Sequence, residues 1–216
     1  MEIYPQYFLV LYHILFFWNF YENPWLNSTG EMLSTFWPLT QWQGRMWNSG
    51  KIPMRDKIYY YYPGSIPFNS TFYPLQILVA KISALLQPDN SFRLLNMSIL
   101  LHYLLGSFIS YFMFLQWARP EVALFGAISL TYCAYAIKIN TPSAVYTMCW
   151  IPGMFISGWF GAFSCFMCVL SGYYPILAYI MPFAVFLNPV CILGLIPGLI
   201  QLDPFLTYYL KAIRWN

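Results

Sequence analysis

Asn27 to Gln76 reads NSTGEMLSTFWPLTQWQGRMWNSGKIPMRDKIYYYYPGSIPFNSTFYPLQ, a polar, aromatic-rich stretch set in a chain that is otherwise apolar. It fills most of a long loop between Tyr21 and Thr71. Four of the seven carboxylates lie in or near that loop and the first apolar segment: Glu2, Glu22, Glu31 and Asp56. The scarce ionisable chemistry is thereby concentrated at one surface, which is read as the working face.

Working outward, 60% of the residues are hydrophobic, 22% aromatic and only 8% charged. An ordinary soluble domain carries roughly 25% charged residues. This composition predicts an all-α integral membrane protein, because helices satisfy their own backbone in lipid and open sheets do not. The net charge of +3 is scattered and no basic run exists. Without such a run there is no phosphate-tracking groove, and nucleic-acid binding is set aside.

A first span is predicted at residues 7–20, an extracytoplasmic loop with an interfacial helix at 21–71, further spans over 72–202 and a tail at 203–216. The first apolar stretch lacks the cationic flank and small-residue cleavage site of a secretory signal, so it is read as retained. Within 72–202 the expected spans are Phe72 to Leu86, Leu94 to Trp117, Glu121 to Ile137, Ala144 to Phe160, Cys165 to Leu187 and Val190 to Leu202. That makes six or seven spans. Prolines 74, 152, 175, 182 and 197 fall within or near them and are expected to kink or break several helices. All five cysteines lie in apolar segments, so a disulfide framework is not expected. Cys165 and Cys168, one helical turn apart with no second pair, read as packing residues and not as a metal site.

Within the loop, Ser28 or Thr29 would cap a helix with Glu31 in its first turn. Met32 to Asn48 then shows Phe36, Trp37, Leu39, Trp42, Met46 and Trp47, an amphipathic pattern interrupted at Pro38. Such a helix would lie along the membrane surface with its aromatics in the headgroups.

The order of Gly30-Glu31, Trp37-Pro38, Trp47-Asn48, Gly50-Lys51-Ile52-Pro53 and Phe72-Tyr73-Pro74-Leu75 resembles the first external loop of the bacterial YfhO family. Those are membrane proteins with the GT-C glycosyltransferase fold. Leu101-His102, Gly106, Trp150-Ile151-Pro152, Gly172-Tyr173-Tyr174-Pro175 and Gln201-Leu202-Asp203-Pro204 continue the likeness along almost the whole chain. The resemblance implies a module in a bacterial cytoplasmic membrane that uses a polyprenyl-phosphate-linked sugar donor at the extracytoplasmic face. It leaves the cofactor open, a divalent cation included. Family members are several times longer, so the chain looks like their N-terminal part: either a fragment, or a reduced protein that has lost full activity or works with a second chain supplying missing spans.

Glu31 falls where the family more usually has Asp and is the first catalytic candidate, with Asp56 the second; either carboxylate can accept a proton. The substrate-binding candidates are Arg45, Lys51, Arg55 and Lys57 for the lipid phosphate, Trp37, Trp42 and Tyr59 for sugar or polyprenyl, and His102 as an ionisable group inside a span. Each has a plainer reading: helix cap for Glu31, snorkelling for the cations, interfacial belt for the aromatics, and a neutral imidazole bonded across helices for His102. The competing function is a non-catalytic membrane subunit or a lipid-linked-substrate carrier. The loop holds four cations and the N-terminus none, which by the positive-inside rule would place the loop in the cytoplasm. The resemblance places it outside, with Lys81, Arg93 and Lys138 expected at the opposite surface.

Overall fold

A computed structural model describes residues 4–23, 25, 32–53, 71–133 and 141–198, and every regular element among them is a helix. In chain order these are α1 Pro5–Phe16, α2 Trp18–Glu22, α3 Trp37–Asn48, α4 Pro74–Ser83, α5 Pro88–Phe114, α6 Pro120–Ile128, α7 Pro142–Met154, α8 Trp159–Ser171 and α9 Tyr174–Leu187. A tenth, α10, covers 191–198. A π-helical turn at Met32–Phe36 leads into α3, and another at Ser129–Cys133 extends α6.

Proline starts helices here more often than it breaks them. Pro5, Pro38, Pro74, Pro88, Pro120, Pro142 and Pro175 all occupy the first turn of a helix. A missing N–H costs nothing at that position and φ is already helical. Of the prolines expected to kink a span, Pro152 and Pro182 do sit inside helices, whereas Pro74 and Pro175 begin them.

α5 is the axis, and it is the one described helix long and apolar enough to cross a membrane. The first segment runs antiparallel beside it. Leu9 shares a core cluster with Tyr111, Phe17 packs 5.1 Å from Tyr103, and Trp25 stacks on Phe92 at 4.4 Å. Thus α1, α2 and Trp25 together accompany α5 over most of its length.

The expected single span over Cys165 to Leu187 is two helices. Gly172 takes φ +83° and closes α8 as a left-handed cap, a conformation that favours glycine. The span expected over Ala144 to Phe160 likewise stops at Met154, turns through 155–158 and resumes as α8. Helix length alone therefore supplies one crossing, not six or seven; α1, α4, α8 and Ile176–Leu187 are shorter apolar helices.

Small residues set the closest helix contacts. A methyl group on Gly44 would overlap the carbonyl oxygen of Ala80, so α3 lies almost against the α4 backbone. Gly194 brings α10 equally close to Ala162 of α8. Asn188 then fixes the end of α7, its amide donating to the carbonyls of Met154 and Ile156 at 3.2 and 2.8 Å.

Gly44→Leu should separate α3 from α4 and cost about 1–3 kcal/mol or more, as overpacking does. Gly50, with open space around it but φ +72°, should lose only about 1 kcal/mol as Gly50→Ala, from backbone strain. Thermal unfolding of the purified protein in detergent compares them, and equal losses would contradict the α3–α4 contact.

Candidate functional site

The α3 that the sequence places at the membrane surface turns a polar face inward. Its buried residues are Leu39, Thr40, Gln43 and Gly44, while Trp42, Met46 and Trp47 are half-buried on its flanks. Gly44 requires that face to be small, and Thr40 and Gln43 can then reach α4.

There they meet Gln76. Its amide nitrogen donates to Thr40 Oγ1 at 3.1 Å and, more weakly, to Gln43 Oε1 at 3.5 Å. Its amide oxygen accepts from the Tyr146 hydroxyl of α7 at 3.1 Å. Tyr146 in turn pairs with Ser98 of α5 at 2.9 Å, and Gln43 donates to Thr71 at 3.1 Å. Four helices are joined by this junction. Phe36, Leu39, Thr40, Gln43, Gln76, Pro142, Ser143 and Tyr146 enclose a crevice beside it with room for roughly one water molecule.

One helical turn deeper lies His102, 1% exposed. Its Nδ1–H donates to the Ser98 carbonyl, which leaves Nε2 of the neutral ring to accept from the Tyr73 hydroxyl at 2.7 Å. The Tyr73 oxygen also accepts from the Trp150 indole at 2.9 Å. Tyr73 and Tyr146 stack at 5.2 Å beside the imidazole. Both ring nitrogens are thus engaged, Nδ1 within α5 itself and Nε2 by Tyr73 at the start of α4. His13 repeats the pattern in α1, with Tyr132 at 3.0 Å and Tyr21 at 2.8 Å on its two nitrogens.

The remaining candidates divide sharply. Trp37 is half-buried, donates to Ser91 at 2.9 Å and meets Phe92 edge-on at 5.9 Å, so its indole holds α3 to α5. Arg45 and Lys51 are exposed at the C-terminal end of α3. Glu31, Arg55, Asp56, Lys57 and Tyr59 lie outside the described residues. The free thiols of Cys165 and Cys168 are buried; Cys165 lies 3.9 Å from the Met181 sulfur, and Cys168 donates to the Thr147 carbonyl at 3.4 Å.

One expectation about charge is reversed. Asn48 at the end of α3 donates to the Lys81 carbonyl at 3.0 Å, and Trp37 reaches Ser91, two residues before Arg93. Lys81 and Arg93 therefore stand at the same end of the bundle as Arg45 and Lys51, not opposite them, while Lys138 lies outside the described residues. The other end, where α5 gives way to α6, carries Arg119 and Glu121. The cause is the short 84–87 turn, which returns the chain beside α3 before α5 begins.

Sequence reasoning passes over Gln43, Gln76, Tyr73 and Tyr146. The available signal was a polar side chain in an otherwise apolar segment, as in Pro74-Leu-Gln76-Ile-Leu-Val. Tyr73→Phe should cost about 1–3 kcal/mol by stranding the Trp150 N–H and His102 Nε2. With His102→Leu the two losses should fall short of adding, because the partners are shared. A double-mutant cycle on unfolding in detergent checks this, and strict additivity would break the assigned network. No protein-family model matches the chain, and neither a curated protein nor a solved structure matches it.

Proposed function

We propose that the chain is an integral membrane protein that holds the phosphate of a polyprenyl-linked sugar at its α3 end, in the manner of the GT-C-like donor module that the resemblance implies. The observation that carries the membrane part is a large apolar exterior around a core that also takes in polar side chains. Gln43, Gln76, Thr40, Ser98 and His102 are buried, while Phe186 is 84% exposed, Tyr179 78%, Trp159 75% and Phe125 73%. Water would favour the reverse arrangement; hydrocarbon favours this one.

The placement of charge supports the same reading. Every charged side chain among the described residues is exposed: Glu22, Arg45, Lys51, Lys81, Asp89, Arg93, Arg119 and Glu121. They gather at the two ends of α5, with none between Leu94 and Ala118. The helical rise from Leu94 to Phe114 is roughly 30 Å, which matches the hydrocarbon thickness of about 30 Å. Close packing through Gly44 and Gly194 is the kind that holds helices together in lipid, where apolar side chains gain nothing by leaving one apolar medium for another.

For the phosphate, Arg45, Lys51, Lys81 and Arg93 give one end four cations against Asp89 and Glu22. The acid–base step of sugar transfer falls to Glu31, with Asp56 second. A carrier or non-catalytic subunit is the alternative. It is favoured by the closed packing around the Gln76 junction and by the cation count, which through the positive-inside rule argues for a cytoplasmic α3 end.

Two measurements separate these readings. In sealed vesicles an impermeant maleimide should label Lys51→Cys and Arg119→Cys from opposite faces, against the background of the unsubstituted protein. An extracytoplasmic Lys51→Cys favours the glycosyltransferase donor face, a cytoplasmic one favours the carrier or subunit, and labelling of both from one side sinks the two-belt arrangement. In the second, purified protein should prefer polyprenyl phosphate over phosphatidylglycerol. Arg45→Ala with Lys51→Ala should weaken that binding by about 2 kcal/mol, roughly thirty-fold. Absence of any preference would remove the polyprenyl reading, and unchanged sugar transfer in Glu31→Gln would return Glu31 to a capping role.

A further inference from the structure

We propose a second lipid site at the opposite end of the bundle: the groove between the N-terminal ends of α1 and α6 takes the primary-ammonium headgroup of a zwitterionic phospholipid, with Glu121 receiving the ammonium. This rests on the membrane reading above. The groove has a volume of about 280 Å³ and is lined by Pro5, Phe8, Pro120, Glu121 and Leu124. Four of these five side chains are apolar. None of the other side chains that frame the groove can donate a hydrogen bond to the Glu121 carboxylate.

Glu121 has no ion-pair or hydrogen-bond partner among the described residues, although it lines the groove and is exposed. An unpaired carboxylate in an apolar-walled groove at a membrane surface is complementary to a compact cation that arrives with an apolar body attached. Arg119, also exposed, immediately precedes the helix as its N-cap residue. An acid inside the groove thus has a base two residues away in the chain, outside the groove's own lining, an order that matches a headgroup whose ammonium and phosphate are close neighbours. Exposed Val122 and Phe125 continue the apolar surface along α6 for an acyl chain. A carboxylate in the first turn of a helix is already favoured by the dipole, which accounts for Glu121 on α6 but not for the groove it lines.

Hydrogen-bond donation by the ammonium makes the proposal discriminating. An ethanolamine headgroup donates N–H groups to a carboxylate and forms a charge-assisted bond; a choline headgroup of the same net charge has no N–H to donate. Protein purified from vesicles containing equal amounts of phosphatidylethanolamine and phosphatidylcholine should retain the ethanolamine lipid in roughly tenfold preference, read by native mass spectrometry. Glu121→Gln should reduce the preference to near unity, and Glu22→Gln, at the other end of the bundle, should leave it unchanged. Equal retention of both lipids by the unaltered protein, or a preference that survives Glu121→Gln, overturns the proposal. Carbonate extraction of the same membranes distinguishes the two levels of failure. Protein that stays in the membrane without headgroup preference overturns this site alone, while protein that washes off overturns the membrane reading and the site together.

Discussion

Gln76 is the residue on which the arrangement of helices depends. Its amide joins α4 to Thr40 of α3 and to Tyr146 of α7, and Tyr146 carries the connection to Ser98 of α5. A side-chain amide must place donors and an acceptor at once, so its neighbours are fixed in rotation as well as in distance. Apolar burial is non-directional, so a directional junction of this kind supplies the register. The Gly44 contact has the same logic: only a bare α-carbon lets Thr40 and Gln43 come within reach of α4.

The polar part of the interior is organised by that junction and others like it. Most of the polar groups placed inside are held by another, as at His102 between Ser98 and Tyr73 or His13 between Tyr132 and Tyr21, whereas the buried hydroxyls of Ser110, Thr131 and Ser164 meet no hydrogen-bond partner among the described residues. An unpaired group in a low-dielectric interior would cost several kcal/mol. The outward residues meet no such requirement and are aromatic or aliphatic over α8, α9 and α10. The chain thus uses its hydroxyls and amides for internal joints and its large apolar side chains for contact with the surroundings.

Some of this is legible from sequence and some is not, for identifiable reasons. Most of α5 is read, as 94–117 against 88–114, because its apolar run is unbroken; its polar first turns, opened by Pro88 and Asp89, fall outside a reading by hydrophobicity. The helix over 32–48 is also anticipated. Its inward face is not, since Gln43 and Gln76 are separated by 33 positions and nothing in a linear pattern says that they pair. The α8–α9 break shows a different failure. Gly172 ahead of Tyr173-Tyr174-Pro175 is a visible stop signal, yet uniform hydrophobicity on both sides reads through it as one span. Lys81 and Arg93 are misplaced for a geometric reason: span counting assigns them a surface from the number of crossings, and the short α4 with its tight 84–87 turn does not complete one.

These constraints bear on where chemistry can occur. Among the described residues the interior contains no charge, and its two imidazoles are occupied on both nitrogens by structural partners. A general base needs a free lone pair within reach of a substrate proton, so neither ring is available without first breaking a bond that holds two helices together. Charge stands instead at the two ends, in unequal proportions: four cations and two carboxylates beside α3, one of each beside α6. An end with excess positive charge is suited to an anion, and a balanced pair is suited to a zwitterion. The two ends therefore differ in the headgroup each would favour, and the asymmetry originates in the turn that brings Lys81 and Arg93 back beside α3.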